Sequence, residues 1–129
     1  MARLEPGLAA TVRHMVGEED TAEAIGSGDV PVLATPVVLT LVERAAVAAV
    51  VPHLDPGTTT VGARVGIDHL APTAVGARVS ATARLEAVEG RRLRFSFEVS
   101  DVRGVVARGI HYRVVVQRQA FLEQAGPPT

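Results

Sequence analysis

The protein has 129 residues, the size of a single domain, and 47% of them are hydrophobic, which is enough for a packed core. A formal net charge of -1 and 3% aromatic residues give neither the basic surface nor the stacking platforms of nucleic-acid binding, so we expect no nucleic-acid partner. Cysteine is absent, which excludes disulfides, thiolate nucleophiles and cysteine-bound metals. We find no signal-peptide pattern and no apolar run of spanning length, so we expect a cytoplasmic protein that does not enter membranes.

The first predicted elements are a strand, a loop and a helix. Apolar and polar residues alternate at 8–16, as in a half-buried strand. Residues 17–34 are acidic and then glycine-rich, which predicts a lid-like loop with at most one helical turn. Residues 36–51 are predicted to form a helix, because Thr35 can cap its start and prolines bracket the segment.

The predicted helix is apolar on almost every side, so we expect the rest of the protein to wrap it. A fully buried strand is the alternative for this segment. Its length, its alanine run and the bracketing prolines favour the helix over the strand.

The rest of the chain, residues 58–118, predicts four strands joined by turns, followed by a tail at 119–129. In the first of these strands one face carries Val61, Ala63, Val65, Ile67 and His69, and the other carries Gly62, Arg64, Gly66 and Asp68. A hairpin turn is predicted at Glu89-Gly90. The sum is an α+β domain in which a five-stranded antiparallel sheet wraps around one central helix, the hot-dog fold. Its long sheet edges favour a homodimer or a higher assembly.

Glu43 is the most informative polar residue, because it lies within the apolar helix. A buried, unpaired carboxylate is costly, so we expect either a general base or nucleophile here, or a pairing with Arg44 or exposure at the helix end. His69 ends the inward face of its strand, so its imidazole should point toward the helix and can approach Glu43. The alternative for His69 is a core histidine without a catalytic role.

Thr35 has two possible roles, as the helix cap or as part of an active site. It precedes Glu43 by eight residues, which is ~12 Å along a helix at ~1.5 Å per residue, so the two side chains should not touch within one chain. A hydrogen bond between them would need a two-fold-related copy, or else Thr35 acts on the substrate. Thr40, one turn before Glu43, is the alternative partner within the chain.

Several other kinds of site are not predicted. His14, His53 and His111 lack the spacing of metal ligands, so we predict no metal and no other cofactor. Hydrolase elbows, dinucleotide-binding motifs and P-loops are missing from the sequence. Outward-facing arginines at 64, 78, 84, 92 and 94 are predicted to form solvated cross-strand pairs or to meet phosphate groups of a large ligand.

Residues 30–116 resemble the fluoroacetyl-CoA thioesterase family of hot-dog proteins. The resemblance rests on ATPVVLTLVERA, HLDPG, VGARVGIDHLAP, VEGRRL and HYRVVV, and on the spacing of a Thr, a Glu and a His. It implies hydrolysis of a small or medium acyl-CoA thioester, with Thr35, Glu43 and His69 as catalytic residues. It also implies that Gly62 and Arg113 contact the substrate.

The resemblance implies a mechanism as well. Glu43 either attacks the thioester carbonyl, giving a mixed anhydride, or activates a water, while His69 is a base or an acid. Thr35 positions Glu43 from the partner copy or binds the acyl carbonyl, and Arg113 steadies the ester or the CoA arm. A backbone N–H near the helix start is expected to face the developing oxyanion.

The segment before the helix departs from the family pattern. Residues 22–30, AEAIGSGDV, contain no aromatic side chain, whereas bulky aromatics line the small-acyl pocket of the family's best-known member. The alternative function is a non-catalytic module that binds acyl-CoA or another small ligand.

Overall fold

The computed structural model describes residues 3–128. In chain order its elements are β1 (Ala9–Met15), α1 (Ala22–Ile25), α2 (Thr35–Val50), β2 (Thr58–His69), β3 (Arg78–Glu89), β4 (Arg92–Asp101), β5 (Gly104–Gln117) and α3 (Arg118–Ala125), with 3-10 turns at Glu18–Asp20 and Val51–His53. The strands form one antiparallel sheet in the order β1-β3-β4-β5-β2. The predicted architecture, a five-stranded antiparallel sheet with a central helix, is confirmed.

Two local features differ from the expectations. Helix α3 occupies part of the predicted tail, and none of its residues is buried in the single chain. The loop before α2 contains two short helical turns, Glu18–Asp20 and α1, instead of at most one.

The core lies between α2 and the inner face of the sheet. Helix α2 packs mainly on β1 and β3 through small and branched apolar side chains. The buried helix residues are Val38, Leu41, Val42, Ala45, Ala46, Ala49 and Val50. The alanines let the helix approach the sheet closely, and the inward residues of β3 and β4 complete the packing.

The opposite face of α2 is open, so the expectation that the whole helix is wrapped is wrong for the single chain. Thr40, Glu43, Arg44 and Ala48 are exposed on this face. Helical side chains three and four residues apart share a face, which explains why these positions stay uncovered together. The open face is a surface that a single copy of the chain does not bury.

One apolar segment reaches the spanning length that was not expected from the sequence. With the turn that follows α2, Thr35–His53 is a stretch of 19 residues with mean hydropathy 1.5, long and apolar enough to cross a membrane by length and composition alone. The core helix of a soluble protein meets the same criterion. Here α2 packs on β1 and β3 as such a helix does.

A β-bulge in β2 changes which residues face the helix. The register with β5 shifts between Gly62 and Arg64, so Ala63 is the extra residue. Thr60 and Gly62, which precede the bulge, therefore face α2, and His69, which follows the bulge, also faces α2. The prediction that Val61, Ala63 and His69 share the inward face is wrong, because one inserted residue inverts the alternation.

The two ends of the loop before α2 are joined to each other by backbone hydrogen bonds. Thr21 and Leu33 form an antiparallel bridge, and the Ala22 and Glu23 amides donate to the carbonyls of Val32 and Val30 at 2.9 and 3.1 Å. We call residues 21–33 the clamped loop and residues 24–29 its tip. The predicted lid is thus a loop with a hydrogen-bonded stem and a short tip.

Candidate active site

Thr35 and His69 form one part of the candidate site. Thr35 is the first residue of α2, and His69 is the last residue of β2. The Thr35 Oγ1 lies 2.8 Å from the His69 Nδ1, a hydrogen bond in which either atom can be the donor. The expected helix cap by Thr35 is wrong: Ala34 holds the N-cap position and no side chain caps the helix there. The threonine hydroxyl is engaged by the imidazole instead.

The environment of His69 keeps its imidazole neutral. Burial lowers the pKa of His69 below its ordinary value of 6.5, and the Ala71 backbone offsets this effect in part. The Nε2 atom is buried and has no hydrogen-bond partner among residues 3–128. In the tautomer in which Nδ1 donates to the Thr35 Oγ1, Nε2 carries a free lone pair, and the neutral imidazole has the geometry of a base at that atom.

Glu43 and Arg113 form the second part. The Arg113 Nη1 donates to the Glu43 Oε2 at 2.9 Å. The Glu43 side chain is 49% exposed, whereas the Arg113 side chain is 7% exposed. The expectation of a buried carboxylate is therefore wrong for the single chain, because Glu43 lies on the open face of α2. Its partner is Arg113 and not the neighbouring Arg44.

Arg113 is held rigidly behind this carboxylate. Its Nε donates to the Thr60 Oγ1 at 2.8 Å and its Nη2 donates to the Thr60 carbonyl at 3.0 Å. The His111 Nδ1 donates to the Arg64 carbonyl at 2.9 Å, so the His111 Nε2 is free to accept from the Arg113 Nη1 at 3.3 Å. Most of the guanidinium donors are thus used within the protein. Because Arg113 is held in place by them, its Nη1 fixes one oxygen of Glu43.

Burial is the main cause that lowers the pKa of His111, and the Arg113 charge acts in the same direction. The Arg64 carbonyl and the Glu43 charge oppose this shift. The neutral form is also the form that can accept a hydrogen bond from Arg113.

Thr60 and His111 were not predicted from the sequence to be part of a site. Each is two positions from a predicted binding residue on the same strand, Gly62 on β2 and Arg113 on β5. Strand periodicity places such pairs on one face, so this spacing was the available signal. On β2 this spacing did not indicate a site, because the bulge was not predicted and Gly62 was therefore assigned to the outward face.

Gly62 leaves room for the Glu43 carboxylate. A Cβ built at Gly62 would collide with the Glu43 Oε2. The backbone of Gly62 is not in the left-handed region, so an alanine there would be unstrained apart from this contact. The glycine is therefore required by the position of the carboxylate and not by the chain conformation.

The Gly62→Ala substitution is expected to lower kcat by about 10- to 100-fold with little change in Tm. The methyl group displaces a flexible, half-exposed carboxylate, and misplacing a reacting group by ~1 Å has effects of this size. Ala9→Ser is the matched control, because it also adds one non-hydrogen atom to a strand residue, but at an exposed position of β1, the opposite edge of the sheet. Steady-state thiol release and thermal melts of both variants measure the difference, and equal kcat values for the two would contradict the assignment.

The two parts do not meet within one chain. No contact joins Glu43 to Thr35 or His69 in the described part of the chain, so the expected approach of His69 to Glu43 is not found there. Thr40, the alternative partner of Glu43, instead donates to the Pro36 carbonyl at 3.1 Å. We refer to the Thr35–His69 half-site and the Glu43–Arg113 half-site.

Cavities flank both half-sites. One of about 360 Å³ lies beside Thr35 and His69. Two others, of about 260 and 530 Å³, lie on either side of Glu43, and the larger one runs along the open face of α2. Between residues 3 and 128 we find no cluster of three or more histidine or carboxylate side chains that could hold a metal ion.

The fold and these half-sites define a hot-dog protein with catalytic-type side chains near its open helix face. A family model described as fluoroacetyl-CoA-specific thioesterase (FlK) matches residues 16–119. A fluoroacetyl-CoA thioesterase from Streptantibioticus cattleyicolor is 34% identical over 111 residues, which cover 86% of this chain and 77% of that protein. The chain therefore belongs to the fluoroacetyl-CoA-specific thioesterase family, a family of thioester hydrolases, as the sequence resemblance predicted.

Solved structures agree with this placement. The fluoroacetyl-CoA thioesterase FlK has a TM-score of 0.90 to this chain with 28% identity, covering 98% of this chain and 99% of that one. A thioesterase superfamily member from Thermus thermophilus has a TM-score of 0.87 with 28% identity, covering 97% and 95%.

Proposed function

We propose that the protein hydrolyses small or medium acyl-CoA thioesters to the free acid and CoA, at a site that two copies of the chain complete. Family membership supports the reaction. Solved structures of FlK variants contain fluoroacetate and CoA, or acetyl-CoA. The observation that carries the proposal is the division of the catalytic-type residues into two preformed half-sites, each held by its own hydrogen bonds.

The position of β2 supports assembly from two copies. It lies at the end of the sheet order, so one of its edges is unpaired, and residues 62–66 are exposed. An uncovered edge of this kind favours pairing with a second chain. Gly62 and His69 lie on this strand about 20 Å apart, at ~3.3 Å per residue with one residue in the bulge.

A two-fold axis at the middle of β2 would join the half-sites. If β2 pairs antiparallel with its copy about a centre at Gly66, and Ala63 takes no place in the ladder, Gly62 of each chain lies opposite His69 of the other. Glu43, which lies against Gly62, then faces the Thr35–His69 half-site of the second copy. The same pairing would cover part of the open face of α2. A homodimer is the smallest assembly that this proposal needs. The cytoplasmic location of the protein stays a prediction from the sequence.

In the proposed reaction, Arg113 fixes one oxygen of Glu43 and leaves the other free to attack the thioester carbonyl or to take a proton from water. His69, oriented by Thr35, exchanges protons through Nε2. Thr35 begins α2, so the positive end of the helix dipole lies beside the carbonyl oxygen as it gains charge. Water supplies the hydroxyl of the product acid, and its proton goes to the CoA thiolate.

Thiol release from short and medium acyl-CoAs tests the reaction. Saturable binding of acyl-CoA without thiol release, with the dimer intact, would favour the non-catalytic binding module over the hydrolase.

The shared site predicts complementation between two inactive variants. A heterodimer of one Glu43→Gln chain and one His69→Asn chain keeps one site in which both residues are native, so it is expected to have about half the activity of the native dimer. The heterodimer is isolated with two different affinity tags and assayed beside both homodimers. If each site were built within one chain, the heterodimer would be as inactive as its parents, and the shared-site proposal would fail.

A further inference from the structure

The cavity of about 360 Å³ beside the Thr35–His69 half-site has a largely aliphatic wall. The wall is formed by the clamped loop, the start of α2, the last residue of β2 and residues 70–72 after it. Its apolar members include Ala22, Val30, Leu33, Leu70 and Ala71. An apolar surface therefore lies next to the imidazole at which the thioester would react.

We infer that this cavity receives the acyl chain, and that the substrates are aliphatic acyl-CoAs with about four to eight acyl carbons. This inference rests on the proposed function and adds the size and polarity of the acyl group. At roughly 30 Å³ for each small group the cavity holds about twelve groups. The thioester sulfur and the two carbons beside it take about three of these places and an acetyl group takes three more, which leaves room for about six further carbons. A longer chain displaces the remaining water from the aliphatic wall and gains hydrophobic free energy.

The absence of charged side chains from the described residues of the wall disfavours acyl groups that carry a free carboxylate. Among the described residues that line the cavity, the polar side chains are those of Ser27, Thr35 and His69, and none is an acid, an arginine or a lysine. Burial lowers the pKa of His69, so its imidazole is neutral near pH 7. The free carboxylate of a malonyl or succinyl chain would lie here without a cationic partner, which is unfavourable in an apolar site.

The tip of the clamped loop limits the length of the acyl chain. Ser27 and Gly28 line the cavity from this tip. A Cβ at Gly28 would lie 3.4 Å from the Ala22 Cβ, an ordinary contact, and the Gly28 backbone is not in the left-handed region. A side chain at position 28 can therefore be accommodated, and its bulk would take space beside Ala22 that the substrate otherwise uses.

The test is kcat/KM for straight-chain acyl-CoAs from acetyl to dodecanoyl, together with succinyl-CoA. We expect kcat/KM to rise about fourfold per added methylene until the cavity is full at about six to eight carbons, and then to fall. Succinyl-CoA should react at least tenfold more slowly than butanoyl-CoA. The Gly28→Val variant should move the optimum to a shorter chain. Ile25→Phe is the matched control, because Ile25 is an exposed residue of the same tip that does not line the cavity.

The outcomes separate this inference from the proposed function. Hydrolysis that is fastest with acetyl-CoA, or equally fast for all chain lengths, would overturn the chain-length assignment and leave the hydrolase intact. A native optimum at six to eight carbons that Gly28→Val and Ile25→Phe shift equally would overturn the role of the tip. Absence of thiol release from every acyl-CoA would overturn both proposals. The native series decides the substrate class even if the position 28 variant fails to fold.

Discussion

The Glu43→Gln variant is expected to lose about 10²- to 10⁴-fold in kcat while it keeps the native fold. Glutamine has nearly the same shape as glutamate, and its amide oxygen can still accept the hydrogen bond from the Arg113 Nη1. The variant lacks the negative charge that would attack the thioester or take a proton from water. Thiol release under saturating acyl-CoA measures kcat, and thermal melts check the fold.

Glu98→Gln is the matched control for this experiment. Glu98 is exposed on the outer face of β4, where it lies opposite Arg108 of β5 in the sheet register. It is expected to change kcat by less than about twofold, because Glu98 is an exposed charge on the face of the sheet that points away from α2 and from both half-sites. If Glu43→Gln were as active as Glu98→Gln, Glu43 would be neither nucleophile nor base.

The His69→Asn variant is expected to lose about 10²- to 10⁴-fold in kcat/KM at pH 8. The asparagine amide can take the place of Nδ1 beside the Thr35 hydroxyl, but the variant has no group at the position of Nε2. It therefore separates proton transfer from the packing of the half-site. His53→Asn is the control, because His53 lies in the 3-10 turn after α2 and lines neither half-site cavity.

The pH dependence of the native enzyme gives a second measurement of the same residue. Burial lowers the pKa of His69 below 6.5, and the neutral imidazole is the form that can accept a proton. We therefore expect kcat/KM to be level above about pH 7 and to fall as the pH drops through the lowered pKa of His69. This acidic limb should be absent from His69→Asn. A limb that is unchanged in that variant would mean that another group titrates.

Periodicity was sufficient for most of the fold. The two-residue repeat of β3 and β4 and the prolines around α2 specify a strand or a helix locally, and the structure has these elements close to the predicted bounds. The bulge in β2 could not be found in this way. Val61, Ala63 and Val65 continue the apolar alternation through it, so the sequence carries no local sign that one residue is inserted at Ala63.

The candidate site was predictable in part. The spacing of Thr35, Glu43 and His69, combined with the family resemblance, selected residues that lie in the two half-sites. The ion pair of Glu43 with Arg113 joins residues 70 positions apart, and the contact of Arg113 with Thr60 spans 53. Contacts of this range arise from tertiary packing, which periodicity does not report.

The exposure of Glu43 was mispredicted for a different reason. The apolar composition of α2 shows that most of its surface is to be buried, but it does not show whether the same chain or a second copy covers each face. Apolar residues on both sides of Glu43 are compatible with either arrangement. A single chain covers the face that packs on β1 and β3 and leaves the other open.

In the proposed acyl site, the tip of the clamped loop and the residues that would carry out the chemistry belong to separate parts of the chain. Its stem is tied by the Thr21–Leu33 bridge, and the Leu33 amide donates to the Thr73 carbonyl at 2.9 Å, so the approach to Thr35 is fixed whatever the tip contains. Residues 24–29 can then be exchanged, shortened or lengthened without moving the hydroxyl that holds His69. If Ser27 and Gly28 limit the acyl chain as proposed, new acyl preferences are accessible by mutation of one short segment that contains none of the proton-transfer groups.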